Sequence, residues 1–132
     1  MKLDHDRLEV YQLARELRRG LLALAAGVPR GHADVLDQLN RAALSVKLNI
    51  AEGSGEFSRK EKARFYRIAR RSACECGALI DDLEDLGVVA ASDTNPSRVL
   101  VFRIVGALIR LIQSVDPDSP ARAPAPPPAR TR

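Results

Sequence analysis

One short segment holds most of the side chains that could bind a charged ligand. Seven basic residues fall between positions 59 and 71, and Glu61 is the only acid among them. At 100° per residue of a helix, four of the seven lie within about 60° of one another and two border them. Cations in such a row can neutralise the phosphates of a nucleic acid. These six residues are referred to as the basic stripe: Lys60, Arg64, Arg67 and Arg71, with Arg59 and Arg70 beside them.

The charges change sign in the second half of the same segment. Between Ser72 and Leu86 there are five acidic residues and no basic one. The helix macrodipole favours the opposite order, with acids at the N-terminus and bases at the C-terminus. Basic residues three and four apart also repel one another by about a few tenths of a kcal/mol per pair. The pattern favours an external partner, and three interpretations stay open: a polyanion, the acidic half of a neighbouring subunit, or a face that is basic only for solubility.

A smaller group of polar residues follows the edge of the preceding apolar segment. Asn49 and Glu52 flank its apolar stripe, and Arg41 lies just beyond. Polar side chains at a core edge are typical of hydrogen-bonded contacts between helices, here to arginines of the basic stripe. A role of Arg41, Asn49 and Glu52 in binding is the alternative interpretation.

The residue types that usually perform catalysis are scattered. His5 and His32 are isolated, and the glycines of segment 53–55 end a helix, whereas a phosphate-binding loop opens one. Cys74 and Cys76 point to different sides of a helix, so they cannot pair or share a metal. We therefore expect no catalytic activity, no metal and no cofactor. Two cysteines without a disulfide framework are consistent with a reducing, cytoplasmic environment.

Four amphipathic segments must position these groups. Only 4% of the 132 residues are aromatic and none is tryptophan, so the core must be aliphatic. Apolar periodicity predicts helices over about 8–26, 33–52, 59–86 and 95–115. The predicted apolar stripe of the third helix includes Phe65 and Ile68, and that of the fourth includes Val99, Phe102 and Ile109. Short connections favour an all-α fold, an antiparallel up-and-down four-helix bundle over residues 1–116.

Several residues have the types and spacing of helix boundaries. Asp6 with Glu9 predicts a capping box for the first helix, and Ser58 with Glu61 predicts one for the third. Gly53 and Gly55 are expected to provide a left-handed stop for the second helix. The pair 95–96, asparagine then proline, is expected to begin the fourth helix.

The C-terminal residues differ in composition from the rest of the chain. Six of the eight prolines lie at or after Pro117, and we expect residues 117–132 to be a disordered tail rich in proline, alanine and arginine. No apolar run approaches the roughly 20 residues of a membrane span. The formal net charge of +4 is too small to identify a partner by itself.

Residues 38–86 also carry the pattern of a known family. A QL-x-RAA-x-S segment begins at Gln38, an NIAEG segment spans 49–53, and a basic, aromatic helix follows Ser58. With the opening helix from Leu8 to Leu24, the chain resembles the bacterial four-helix-bundle proteins called 23S rRNA intervening-sequence proteins. The resemblance covers residues 6–115.

This resemblance implies a small helical protein without known catalytic activity that assembles into a ring-like homopentamer. Relatives include the accessory protein of diversity-generating retroelements, which binds nucleic acid and a reverse transcriptase through a basic surface. We therefore predict an oligomeric bundle that binds nucleic acid, RNA preferred, through the basic stripe. Phe57 and Tyr66 are the only candidates for base stacking near it, so sequence specificity should be low. The alternative is a protein–protein adaptor, for example for a reverse transcriptase or another acidic partner, with the charged helix at the interface.

Overall fold

The computed structural model describes residues 1–119, which form one 3-10 turn and four α-helices. The turn is Asp4–Arg7, and the helices are α1 (Glu9–Ala26), α2 (Ala33–Gly55), α3 (Arg59–Asp85) and α4 (Ala91–Val115). Each helix packs against the next along the chain, and α4 closes the bundle against α1. The predicted all-α four-helix bundle is confirmed. Residues 117–119 form a turn after α4, and the remainder of the predicted tail lies outside the described residues.

The core is aliphatic, as the composition requires. All four helices contribute large side chains that are fully buried, and burial of each stabilises the fold by roughly 1.5–3 kcal/mol. The largest of them are Leu17, Leu39, Ile50, Ile80, Leu83, Ile104 and Leu108. Within residues 1–119, no helix is both long enough and apolar enough to cross a membrane.

The two predicted capping boxes have different outcomes. Ser58 is the N-cap of α3 and accepts a hydrogen bond from the Glu61 amide at 3.3 Å. The Glu61 side chain turns to Arg64 instead of completing the box. The prediction for Asp6 is wrong, because Asp6 belongs to the 3-10 turn and accepts from the Leu3 amide at 3.0 Å.

The predicted start of α4 is also wrong. The helix begins at Ala91, and Asp93 accepts a hydrogen bond from the Ala90 amide at 3.3 Å. Thr94 is fully buried and donates to Glu84 of α3, so the first turn is held by a neighbouring helix. Pro96 therefore lies inside the helix, where it removes a single backbone hydrogen bond near the start.

Gly53 does not act as the predicted left-handed stop. Positive φ angles occur at Gly31 and Gly87 but not at Gly53 or Gly55, and α2 continues to Gly55. Gly53 is buried, and a Cβ atom there would lie 2.6 Å from Cε1 of Tyr66. Glycine is required at this position because α3 approaches the α2 backbone too closely for a side chain.

The buried face of α3 is turned relative to the predicted stripe. Phe65 and Ile68 are only half-buried, whereas Tyr66 and Ile80 are fully buried in the core. Because α3 packs between α2 and α4, it buries a wider face than one stripe, and small residues such as Ala63 allow close packing.

Candidate nucleic-acid interface

The basic stripe lies on the outward side of the first half of α3. Four of its members are exposed and two, Arg67 and Arg70, are half-buried. The helix that positions them starts at the Ser58 cap and is anchored by the buried Tyr66. The charged groups therefore project from a rigid element, but their local partners differ.

Two members of the stripe hold the end of α4. Arg59 donates from Nε to the Val115 carbonyl at 3.1 Å and from Nη2 to the Ser114 carbonyl at 3.2 Å. Arg67 forms an ion pair with Asp116. The pKa of the Asp116 carboxyl lies below its usual value, first because the Asp118 amide donates to it and then because Arg67 does. Both arginines thus have a structural role in addition to their charge.

Arg64 has one acidic partner, on its own helix. Its guanidinium lies 3.0 Å from Oε2 of Glu61 and 4.4 Å from the centroid of the Phe65 ring. About half of the Arg64 side chain is exposed, and exposed ion pairs of this kind contribute roughly 0–1 kcal/mol. A phosphate can therefore replace Glu61 as the partner at little cost.

The other three members have no acidic partner within residues 1–119. Lys60, Arg70 and Arg71 form neither an ion pair nor a side-chain hydrogen bond there. The seventh basic residue of the segment, Lys62, points elsewhere and donates to the carbonyls of Gly53 and Ser54 at 3.1 and 2.9 Å, which caps α2. These three cations, unpaired within residues 1–119, and the weakly paired Arg64 are therefore the part of the stripe that is available to a ligand.

The polar residues of α2 are not hydrogen-bonded to the stripe. The Asn49 amide donates to the Ser45 carbonyl at 2.8 Å, and Ser45 Oγ lies 2.8 Å from Ser72 Oγ on α3. The prediction of a bond from Asn49 to an arginine is wrong for the described residues, where the side-chain NH2 of Asn49 donates to Ser45 of its own helix and no arginine donates to its side-chain oxygen. Glu52 and Arg41 are exposed, and their side chains form no hydrogen bond within residues 1–119. Eleven residues separate them, or about 16 Å along the helix, so they do not form one site.

Of the two aromatic residues predicted to stack on bases near the stripe, only one is exposed. Tyr66 is 3% exposed, and burial raises the pKa of its hydroxyl. The expectation that it can stack on a base is therefore wrong. Phe57, in the connection between α2 and α3, is fully exposed.

A comparison with known families covers most of the described residues. The model of the family described as 23S rRNA-intervening sequence protein matches residues 6–109. The chain belongs to this family. The match includes all six residues of the basic stripe and the α2 residues Arg41, Asn49 and Glu52. Among the curated proteins compared, none matches this 23S rRNA-intervening sequence protein.

In this 23S rRNA-intervening sequence protein, part of the acidic half of α3 is neutralised internally. Arg98 of α4 pairs with both Asp81 and Glu84, the latter at 3.0 Å. The Thr94 hydroxyl and then Arg98 lower the pKa of Glu84. The reversed charges of α3 are therefore explained in part by contacts to α4, which the sequence of α3 alone does not reveal.

The 23S rRNA-intervening sequence protein also has an apolar surface on α4 that sequence analysis assigned to the core. Phe102 is 82% exposed, Val99 is 50% exposed and Ile109 is 39% exposed. The three side chains lie on one outward side of the helix, and they are referred to as the α4 apolar face. Large contiguous apolar patches on a protein surface mark sites that contact other proteins, membranes or ligands.

The two thiols differ in exposure. Cys74 is exposed, whereas Cys76 is buried, and burial raises the pKa of the Cys76 thiol to about 12. Within the described residues, no group of three or more histidine, cysteine, aspartate or glutamate side chains could hold a metal ion.

Proposed function

We propose that this protein is a non-enzymatic, oligomeric helical bundle that binds nucleic acid, preferably RNA, through the basic stripe of α3. The observation that carries the proposal is the set of three cations, Lys60, Arg70 and Arg71, without an acidic partner in residues 1–119. Lys60 lies in the first turn of α3, at the positive end of the helix dipole, and the like charges of the stripe that are three and four residues apart repel one another, so both arrangements cost stability. A bound polyanion removes both penalties.

The chemistry of the stripe determines what kind of binding it supports. Arginine and lysine contact phosphates and position a nucleic acid without reading its bases. Phe57 is the one exposed aromatic residue near the stripe, so stacking contributes little and sequence specificity is low. The family's description, which refers to an intervening sequence of 23S rRNA, supports RNA as the first ligand to test.

A triple variant tests the proposal without disturbing the fold. Lys60→Gln, Arg70→Gln and Arg71→Gln together remove the three cations that form neither an ion pair nor a side-chain hydrogen bond within residues 1–119. At about 0.5 kcal/mol per exposed charge contact, the loss is about 1.5 kcal/mol, or roughly tenfold in affinity. The measurement is fluorescence anisotropy with a labelled RNA hairpin at low salt.

The matched control removes the same charge from another part of the bundle. Arg15, Arg19 and Arg30 are exposed on α1 and on the loop that follows it. Substitution of all three by glutamine should change affinity by less than about twofold, because α1 does not contact α3. Equal losses in the two triple variants would contradict the assignment of the stripe, since only net charge would then matter.

The α4 apolar face supports a second candidate function, in protein–protein contact. We propose first that it joins subunits in a homo-oligomer, the ring-like homopentamer that the family resemblance implies. The alternative is an adaptor whose charged helix α3 meets the acidic surface of a different protein, such as a polymerase, while α4 adds apolar contact. The exposed Phe102, with Val99 and Ile109 beside it, is the observation that favours either contact.

The mass of the particle in solution distinguishes these candidates. Light scattering should give about five times the chain mass of 14.4 kDa for the wild type, and a smaller particle for Phe102→Ser. A monomeric wild type would contradict the homo-oligomer and direct attention to the adaptor. Dissociation at high salt would instead place the charged half of α3 at the subunit contact.

The free thiols of Cys74 and Cys76 support a cytoplasmic location, which belongs to the same proposal.

A further inference from the structure

One aromatic side chain next to the basic stripe has no role in the packing of the bundle. Phe57, in the connection between α2 and α3, is fully exposed and is not among the side chains packed on the core of residues 1–119. Phe65 differs from it, because Phe65 is half-buried and the Arg64 guanidinium lies 4.4 Å from the centroid of its ring. Both faces of the Phe57 ring are therefore available to a ligand.

The backbone on both sides of Phe57 is held in place. Only three residues separate α2 from α3. Before Phe57, the Glu56 amide donates to the Gly53 carbonyl at 3.3 Å. After it, Ser58 caps α3 by accepting from the Glu61 amide at 3.3 Å. The connection thus presents the ring from a fixed position at the start of the basic stripe.

An unpaired cation of the stripe lies close to the ring. Lys60 follows Phe57 by three residues, so their Cα atoms are at most about 11 Å apart. Lys60 has no acidic partner within residues 1–119. A ring and a cation at this separation can hold a base and a phosphate of the same strand. In a duplex every base is already paired and stacked on its neighbours, so only an unpaired base can offer a face to the ring.

We propose that the ligand of the basic stripe contains unpaired nucleotides, as a single strand or the loop of a structured RNA does, and that one unpaired base stacks on Phe57. The inference rests on the proposed function and narrows its ligand class. Stacking on one ring does not depend on the identity of the base, so sequence specificity stays low. Phosphate contacts of the stripe supply most of the affinity, and the ring supplies the preference for unpaired over duplex nucleic acid.

Substitution of Phe57 in the full-length chain tests this inference on two RNA ligands. One ligand is a short labelled strand without self-complementary sequence, and the other is the same strand paired with its complement. Phe57→Ala should weaken binding of the single strand about 5- to 150-fold in fluorescence anisotropy at low salt, the range typical of one base stacked on an aromatic ring. Binding of the duplex should change by less than about twofold, because the cations of the stripe are intact.

Two control variants separate stacking from other effects of the substitution. Phe57→Tyr keeps an aromatic ring and should keep the wild-type affinity for the single strand. Leu22→Ala removes an apolar side chain of α1 that is 50% exposed, and it should change the affinity for neither ligand.

The outcomes separate this inference from the proposal on which it rests. Wild-type binding with no loss in Phe57→Ala, or with an equal loss on both ligands, would overturn the stacked base and leave the stripe in place. Contact with another protein would then be the remaining role of the exposed ring. A loss of the same size in Phe57→Tyr or in Leu22→Ala would also overturn the stacked base, because the aromatic ring would then not be the cause. Failure of the wild type to bind either RNA at low salt would overturn both proposals.

Discussion

Gly53 provides a sharp test of how α2 and α3 pack, through the substitution Gly53→Ala. A methyl group at this position would lie 2.6 Å from Cε1 and 2.8 Å from Cδ1 of Tyr66, and 3.2 Å from Cβ of Phe65. Carbon atoms in optimal contact are about 3.5–4.0 Å apart, so the ring must move by about 1 Å. Tyr66 is 3% exposed, so the movement cannot be directed into solvent and has to displace core side chains.

The expected change in the free energy of unfolding follows from two opposing effects of the added methyl group. Alanine has a higher helix propensity than glycine by about 1 kcal/mol, and this difference would stabilise the variant if there were room for the methyl group. Overpacking of a tightly packed site costs about 1–3 kcal/mol. Gly20→Ala isolates the first term, because a Cβ at Gly20 meets only Ser97 Oγ at 3.6 Å, an ordinary contact. The Gly53→Ala protein should therefore be less stable than the Gly20→Ala protein by about 1–3 kcal/mol.

Thermal and urea unfolding followed by circular dichroism measure this difference. One kcal/mol corresponds to about 4 °C for a domain of this size, so the two variants should differ by about 4–12 °C in Tm. A Gly53→Ala protein as stable as Gly20→Ala would refute the close approach of Tyr66 to α2. It would also remove the physical reason given for glycine in the NIAEG segment.

Three further predictions concern the cap, the end of α4 and the thiols. Ser58→Ala should lower the free energy of unfolding by about 1 kcal/mol in urea denaturation, because the Glu61 amide loses its acceptor; an unchanged midpoint would contradict the cap. The lowered pKa of Asp116 stabilises the fold above the ordinary aspartate pKa, about 3.9, and this contribution disappears as pH falls through the lowered pKa. The Tm gap between wild type and Asp116→Asn should therefore be widest near pH 7 and should close as the pH falls through the lowered pKa, and a gap that persists in acid would contradict the ion pair. A thiol reagent at pH 7.5 should modify Cys74 but not Cys76 in the native protein, whereas rapid modification of both would show that the core is open.

The features that depend on local sequence were predictable. Apolar periodicity predicted the four helices, and the Ser58 cap followed from the residue type just before a helical segment. The NIAEG segment and its neighbours gave the resemblance to the family whose model matches residues 6–109. These signals are local because helix formation and capping involve residues within one or two turns.

The features that depend on contacts between helices were not predictable in the same way. The predicted start of α4 was wrong because a buried contact of Thr94 with Glu84 extends the helix past the asparagine–proline signal. Gly53 has the residue type of a helix stop, but its actual role is set by the Tyr66 ring on another helix. Likewise, nothing in the sequence of α3 distinguishes Arg67, which holds Asp116, from Arg71, which has no acidic partner in the described chain.

Binding of the wild-type protein to a structured RNA and to a DNA duplex, each titrated across salt, tests the central claim most directly. The account predicts binding to both, tighter to RNA, with log affinity falling linearly as log salt rises. On DNA the slope should correspond to at least four contacts at about 0.9 each, one for every available cation of the stripe. No binding at low salt, or binding whose affinity does not change with salt, would contradict the claim that the basic stripe binds phosphates.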